Sequence, residues 1–234
     1  YLCKHTGKAV LLFPIAYHVN RSPHSWSNPR FLQKILDLRR TLHGNDRSLS
    51  FANVALSERL SHNPQRFYSS GRQSFDDIVK LIGDIKAGKH PLFDKKTKFD
   101  VFAYSIGAFL SQVLFLNNPD DYFSESKLFM FCGGSIFNSM CGESRSIMDK
   151  KSYEQLFEYY QTGFWAEKIA VNTGDEVMAS FYSMLTPDNE KLKRTSIFRQ
   201  MKDRIGGVSL ALDKVIPYHG VVQALGHDCA SKTI

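Results

Sequence analysis

Long apolar runs are missing from this chain. The longest, around Val10 to Ala16, contains Pro14 and falls far short of the roughly 20 residues that a bilayer-crossing helix needs, so no membrane-spanning helix is expected. Cysteine is sparse as well. Cys3, Cys132, Cys141 and Cys229 are scattered and form no C-x-x-C pair, which argues against both a disulfide framework and a structural zinc site. There is no internal repeat and no low-complexity tract, so repeat architectures are excluded.

What is present is a globular balance. Of 234 residues, 43% are hydrophobic and 23% are charged, enough to bury one α/β core that carries an insertion. The formal charge of +7 raises the question of nucleic acid. Binding a phosphate backbone requires basic groups gathered on one face, and here they come in small separate clusters: Arg39-Arg40, Lys95-Lys96 and Lys191 to Arg194. Solvated helix ends and loops account for these, so no nucleic-acid partner is expected. The charge favours anionic substrates or surfaces.

Short apolar runs alternate with amphipathic stretches. Ala9 to Ile15 reads as a strand. Asn28 to Thr41 reads as a helix with Phe31, Ile35 and Leu38 at helical spacing. Leu49 to Leu56 is a second candidate strand, and His62 to Gly71 reads as irregular. Ser74 to Ala87 is a helix capped by Ser74, with Asp76 and Asp77 in its first turn. Phe99 to Tyr104 and Leu128 to Cys132 are buried strands, and Val208 to Leu212 is the last. Residues 137–204 are rich in polar and aromatic groups and read as a helical insertion. The pattern predicts an α/β fold with a mostly parallel central sheet flanked by helices, in which residues 1–136 and 205–234 form the core and 137–204 a helical cap. Function in such a sheet gathers beyond the carboxyl ends of the strands.

One junction carries chemistry. The strand ending at Tyr104 runs directly into Ser105-Ile106-Gly107-Ala108 and an apolar helix to about Asn117. A serine at a sharp strand-to-helix turn needs small residues two positions before and after it, and Ala103 and Gly107 fill those places. The turn lifts the hydroxyl clear of the sheet, and the amide of Ile106 at the helix start can face a developing oxyanion. The plainer alternative for Ser105 is an ordinary tight-turn serine.

At this junction the chain resembles the α/β-hydrolase superfamily, and the likeness runs from about residue 8 to residue 225. It implies a serine hydrolase of esters, thioesters or amides that forms an acyl-enzyme on Ser105, acts on a small-molecule acyl substrate and needs no cofactor or metal. The segment Val10 to Asn20 stands where the family has its oxyanion loop, which implies the amide of Ala16 or Tyr17 as second donor. The loop Ala16 to Arg21 is similar to that of a bacterial branch outside the well-studied esterase groups. His18 and His24 of that loop stand to line the same pocket, His18 as a substrate-binding residue. Asp213 to Pro217 matches the family's Asp-x-x-x-Pro acid turn; otherwise Asp213 is a turn-capping aspartate. For the base, His227 stands nearest the family order, His219 opens a short helix, and His18 is a third choice. The family also implies strands before Ala9 and a histidine loop after the last strand; neither is recognised, which predicts a partial chain or an inert relative that serves as a binding scaffold. Tyr153, Phe157, Tyr159, Tyr160, Phe164 and Trp165 either roof an acyl group or form the cap's own core.

Overall fold

The protein is described from a computed structural model over residues 2–44, 46–164 and 174–230. Its centre is a three-stranded parallel sheet in the order β1-β2-β3, formed by β1 (Val101–Tyr104), β2 (Leu128–Phe131) and β3 (Ile205–Val208). Val101 aligns with Leu128 and Leu128 with Ile205. Around it lie α1 (Leu2–Thr6), α2 (Pro29–His43), α3 (Val54–His62), α4 (Arg66–Lys86), α5 (Ile106–Asn117), α6 (Lys150–Glu158), α7 (Glu176–Ser183), α8 (Lys191–Gln200), α9 (Tyr218–Leu225) and α10 (His227–Ala230). The fold is therefore α/β and mostly helical, with a sheet smaller than expected.

Alternation along the strands sorts their two faces. Ala103, Leu128, Met130 and Ile205 are buried against α5, whose residues Ala108 to Phe115 are all buried. The opposite face carries Phe102, Tyr104, Phe129 and Phe131, and all four are exposed. Phe102 stacks on Phe129 with centroids 5.7 Å apart, and Tyr104 on Phe131 at 6.1 Å. A parallel sheet covered on both faces is the usual case; here the aromatic side chains of one face are exposed.

Several elements depart from the sequence reading. Ala9 to Ile15 is extended but joins no strand, and Lys8 pairs with Asp100 at 2.9 Å so that the segment begins level with the foot of β1. Leu49 to Leu56 is a turn leading into α3, because Asn53 replaces ladder bonds with its own: its Oδ1 accepts from the Ser50 amide, and its Nδ2 donates to the carbonyls of Ser48 and Ser144. The stretch 62–71 is not irregular throughout, since α4 starts at Arg66, and Ser74 therefore lies inside this helix rather than capping it. In α2 the buried face is Leu32, Leu36 and Arg39, with Phe31 and Leu38 exposed. The last strand lies earlier than expected and includes Gly206 and Gly207, where a Cβ on Gly207 would meet the Met130 carbonyl oxygen at 2.6 Å.

Residues 137–204 contribute helices and no sheet strand among the described residues. Their buried side chains Leu156, Tyr160, Phe164, Phe181 and Phe198 belong to the same core cluster as α5. Phe67, Phe109, Phe137, Tyr160 and Phe181 interlock at centroid distances of 5.4 to 6.5 Å. Trp165 lies outside the described residues.

A buried ion pair ties α2 to the start of α6. Arg39 and Asp149 are 2% and 1% exposed. Arg39 Nε donates to Asp149 Oδ2 at 2.7 Å and its Nη2 to Oδ1 at 2.9 Å, while its Nη1 reaches Glu58 at 2.8 Å. Asp149 also accepts from the Ser152 amide and so caps α6. Removing one partner strands a desolvated charge. Asp149→Ala is expected to lower unfolding free energy by about 3–5 kcal/mol, read by urea denaturation, and Glu58→Ala, which removes a partly exposed partner, by clearly less. Equal losses would show that the buried pair is not the main tie.

Candidate active site

Ser105 sits between β1 and α5 with φ 53° and ψ −124°, a backbone conformation that an L-residue adopts only when its surroundings impose it. The Ser105 amide donates to the Phe131 carbonyl at 3.1 Å, and its own carbonyl accepts from Ala108 at 2.9 Å. The chain thus leaves the sheet and enters the helix within one residue. Ile106 opens the helix, and its N–H is one of the groups that a helix start leaves without an intrahelical partner.

Of the two small residues expected to relieve crowding, Ala103 is buried, but Gly107 is not crowded. A Cβ on Gly107 would meet nothing within 4 Å, whereas one on Gly133 would lie 2.5 Å from Ala108 Cβ and 2.7 Å from the Ser105 carbonyl oxygen. Gly133, just beyond β2, is therefore what lets the next strand's exit press on the serine turn. Its signal in the sequence was only the pair Gly133-Gly134 after a strand-like run.

Ser105 lines a cleft of about 1880 Å³, bounded mainly by apolar side chains of α3, α4, α5, the edge of β1 and the extended segment 8–18. Ala16, Tyr17, His18 and Ile106 line the same cleft. Among the aromatic residues considered as a roof, Tyr153 lines it, and Phe157, Tyr159, Tyr160 and Phe164 do not. The loop between Pro14 and Arg21 is tied down from below. Arg21 donates to the Pro14 carbonyl at 3.0 Å and pairs with Asp77 of α4, and the Ala16 amide donates to Ser74 Oγ at 2.9 Å. That last bond corrects one assignment: the Ala16 N–H is already used. Tyr17 is held at φ 68°, and its amide donates no hydrogen bond among the described residues.

His18 Nδ1 lies 3.3 Å from the Ala16 carbonyl oxygen. An N–H on Nδ1 satisfies that acceptor and leaves Nε2 with a lone pair. The other histidines that were considered lie elsewhere. His219, in the first turn of α9, and His227, at the start of α10, are exposed, as is His24. The structure does not bring His227 to the cleft, because α10 packs on α8 and α9, with Cys229 Sγ 3.5 Å from the Phe198 carbonyl. Among the described residues no imidazole is hydrogen-bonded to Ser105.

Asp213 stands at the carboxyl-end rim of the sheet. Burial, with the Asp213 charge adding to it, raises the thiol pKa of Cys132, the residue next to Gly133. Asp213 Oδ1 accepts from the amides of Val215 and Ile216, both at 2.9 Å, so this carboxylate closes its own turn. Val215 and Ile216 line the cleft, and Asp213 itself does not. No group of three or more His, Cys, Asp or Glu residues suited to a metal occurs among the described residues.

Residues 1–234 match a family model described as Family of unknown function (DUF6051). The chain belongs to that family. No curated protein and no solved structure matches it. Among the described residues, no helix is long and apolar enough to cross a membrane.

The contrast between the two glycines is directly testable. Gly133→Ala is expected to lower stability by about 1–3 kcal/mol, because the new methyl group overlaps backbone that cannot yield without moving the turn. Gly107→Ala, placed in open space at a helix start, should be neutral or slightly stabilising. Thermal unfolding of the two variants checks this; the reverse order would mean that the turn is not held by close approach at Gly133.

Proposed function

We propose that the protein is a serine hydrolase of ester, thioester or amide bonds, working through an acyl-enzyme on Ser105. The observation that carries this reading is the positive-φ conformation of Ser105 at a strand-to-helix junction that opens on a large, mostly apolar cleft. Strain of this kind persists where it serves a site, and it presents a hydroxyl beside the free amide of a helix start. In the proposed reaction Ser105 Oγ attacks the substrate carbonyl carbon, and a histidine takes its proton. The amides of Ile106 and Tyr17 hold the oxyanion. The leaving group departs with that proton, and water then repeats the sequence to release the acid.

His18 is the best-placed base, because it is the histidine that shares the cleft with Ser105 among the described residues, and its Nδ1 contact on the Ala16 carbonyl favours the tautomer that can accept a proton at Nε2. Asp213, committed to its own turn on one oxygen, keeps Oδ2 for a partner at the same rim. A second reading is a hydrolase-like binding protein without turnover, and it is favoured by the missing hydrogen bond between Ser105 and any imidazole among the described residues.

A fluorophosphonate probe separates the two. An activated serine is labelled, and Ser105→Ala abolishes the label. His18→Ala is expected to slow labelling by about 10²–10⁴-fold, and His227→Ala to leave it unchanged. Wild-type protein that resists the probe would sink the hydrolase reading in favour of the binding protein; normal labelling of His18→Ala would remove His18 as base while leaving the nucleophile.

A further inference from the structure

The arginines withdrawn from water in this fold are answered by acceptors. Arg39 meets Asp149 and Glu58, Arg72 meets Asp175 and Asp76, and Arg21 meets Asp77. Arg194, 1% exposed, is enclosed by the backbone carbonyls of Ser183, Pro187, Asn189, Gln223 and Ala224, and Arg204 by those of Phe123 and Ser126. Arg59 differs. It is half-buried on α3, its Nη2 donates to Ser70 Oγ at 2.9 Å, and its guanidinium carbon lies over the Tyr17 ring, 3.6 Å from the centroid. No carboxylate pairs with it among the described residues.

A second cation makes the imbalance larger. Arg66 Nη1 sits 3.3 Å from the Arg59 carbonyl oxygen, and it too has no carboxylate partner among the described residues. Burial lowers the Arg59 pKa, Tyr17 opposes this, and the Arg66 charge adds to the lowering. A desolvated cation of this kind gains most from an incoming anion. Arg59 lines the cleft beside Leu56, Leu60 and Phe67, which are apolar.

We infer that Arg59 anchors the carboxylate of an otherwise apolar ligand, a medium-chain monocarboxylate, whose hydrocarbon body lies in the cleft. With the Tyr17 ring against the guanidinium and one Nη2 N–H on Ser70, N–H groups remain on the guanidinium that a planar carboxylate can meet with its two oxygens. Next to Arg59 the lining is apolar, and the charged residues elsewhere in the cleft include Lys8 paired with Asp100, Lys98 paired with Glu125 and Arg204 held by backbone carbonyls, so at Arg59 one anionic head with an apolar chain is the complementary shape. The site does not require Ser105 to be reactive. If Ser105 is a nucleophile, the inference assigns substrates that carry a free carboxylate away from the bond that is cut.

The test is calorimetric titration at low salt with octanoate and with 1-octanol, its neutral counterpart. Wild-type protein is expected to bind octanoate about tenfold or more tighter than 1-octanol, with the difference shrinking as salt is added. Arg59→Met should erase the difference while binding 1-octanol as before, which also reports that the cleft is intact. Arg59→Lys, which keeps the charge and loses the fork, should fall between. Equal affinities of the wild type for the two probes, or no octanoate binding, overturn the inference, as does an Arg59→Met variant that still prefers octanoate; should that variant fail to fold, the wild-type comparison alone decides. Ser105→Ala is expected to bind octanoate as wild type does, so failure of the fluorophosphonate test leaves this site standing and failure here leaves the nucleophile standing.

Discussion

A serine backbone held at positive φ, with its amide bonded to one strand and its carbonyl to the following helix turn, sets the course of the chain through the middle of this protein. Because Ser105 N–H reaches the Phe131 carbonyl, β1 and β2 stay in register up to the last residue before the helix. Because the carbonyl of Ser105 accepts from Ala108, α5 leaves at an angle that returns it across the sheet, where its residues from Ala108 to Phe115 become core. The close approach of Gly133 completes the enclosure, since the strained conformer is the one that fits between Ala108 and the exit of β2.

What could be read from the sequence was what local pattern controls. β1, β2 and α5 were legible because short apolar runs bounded by polar or turn residues have few alternative uses, and α2 was legible from its helical spacing; the structure adds that Asn28 caps it, accepting from the amides of Arg30 and Phe31. The segment Ala9 to Ile15 has equally strong strand composition, yet pairing depends on a neighbour within reach of its backbone, which composition does not report. Ser74 was misplaced for a related reason: a serine within a helix looks like a cap, and only the fold reveals that its hydroxyl holds the Ala16 amide.

The candidate site divides along the same line. Ser105 and Ile106 are neighbours in sequence, so their pairing was legible. Arg59 was not, because its interest lies in the fact that no carboxylate pairs with it among the described residues, although α3 and α4 both carry acidic side chains. Nor was Gly133, whose role is a distance to another strand's exit. His227 was placed by analogy of order along the chain, and order says nothing about the direction in which α10 packs. The buried pair of Arg39 and Asp149 links residues separated by 110 positions, and no local pattern could have joined them.

The edge of the sheet has a consequence for how the protein behaves among its own copies. In a parallel ladder, alternate residues turn their amides and carbonyls to opposite sides; Val101 and Ser105 bond to the β2 side, so the backbone groups of Phe102 and Tyr104 point outward along the free edge of β1. An unpaired edge flanked by apolar side chains is a template for further strands. The net charge of +7 works against that encounter by repulsion between molecules. Among the described residues no strand pairs with this edge, so repulsion between molecules is what opposes its pairing with a second copy, and that repulsion weakens in concentrated salt, where charge is screened.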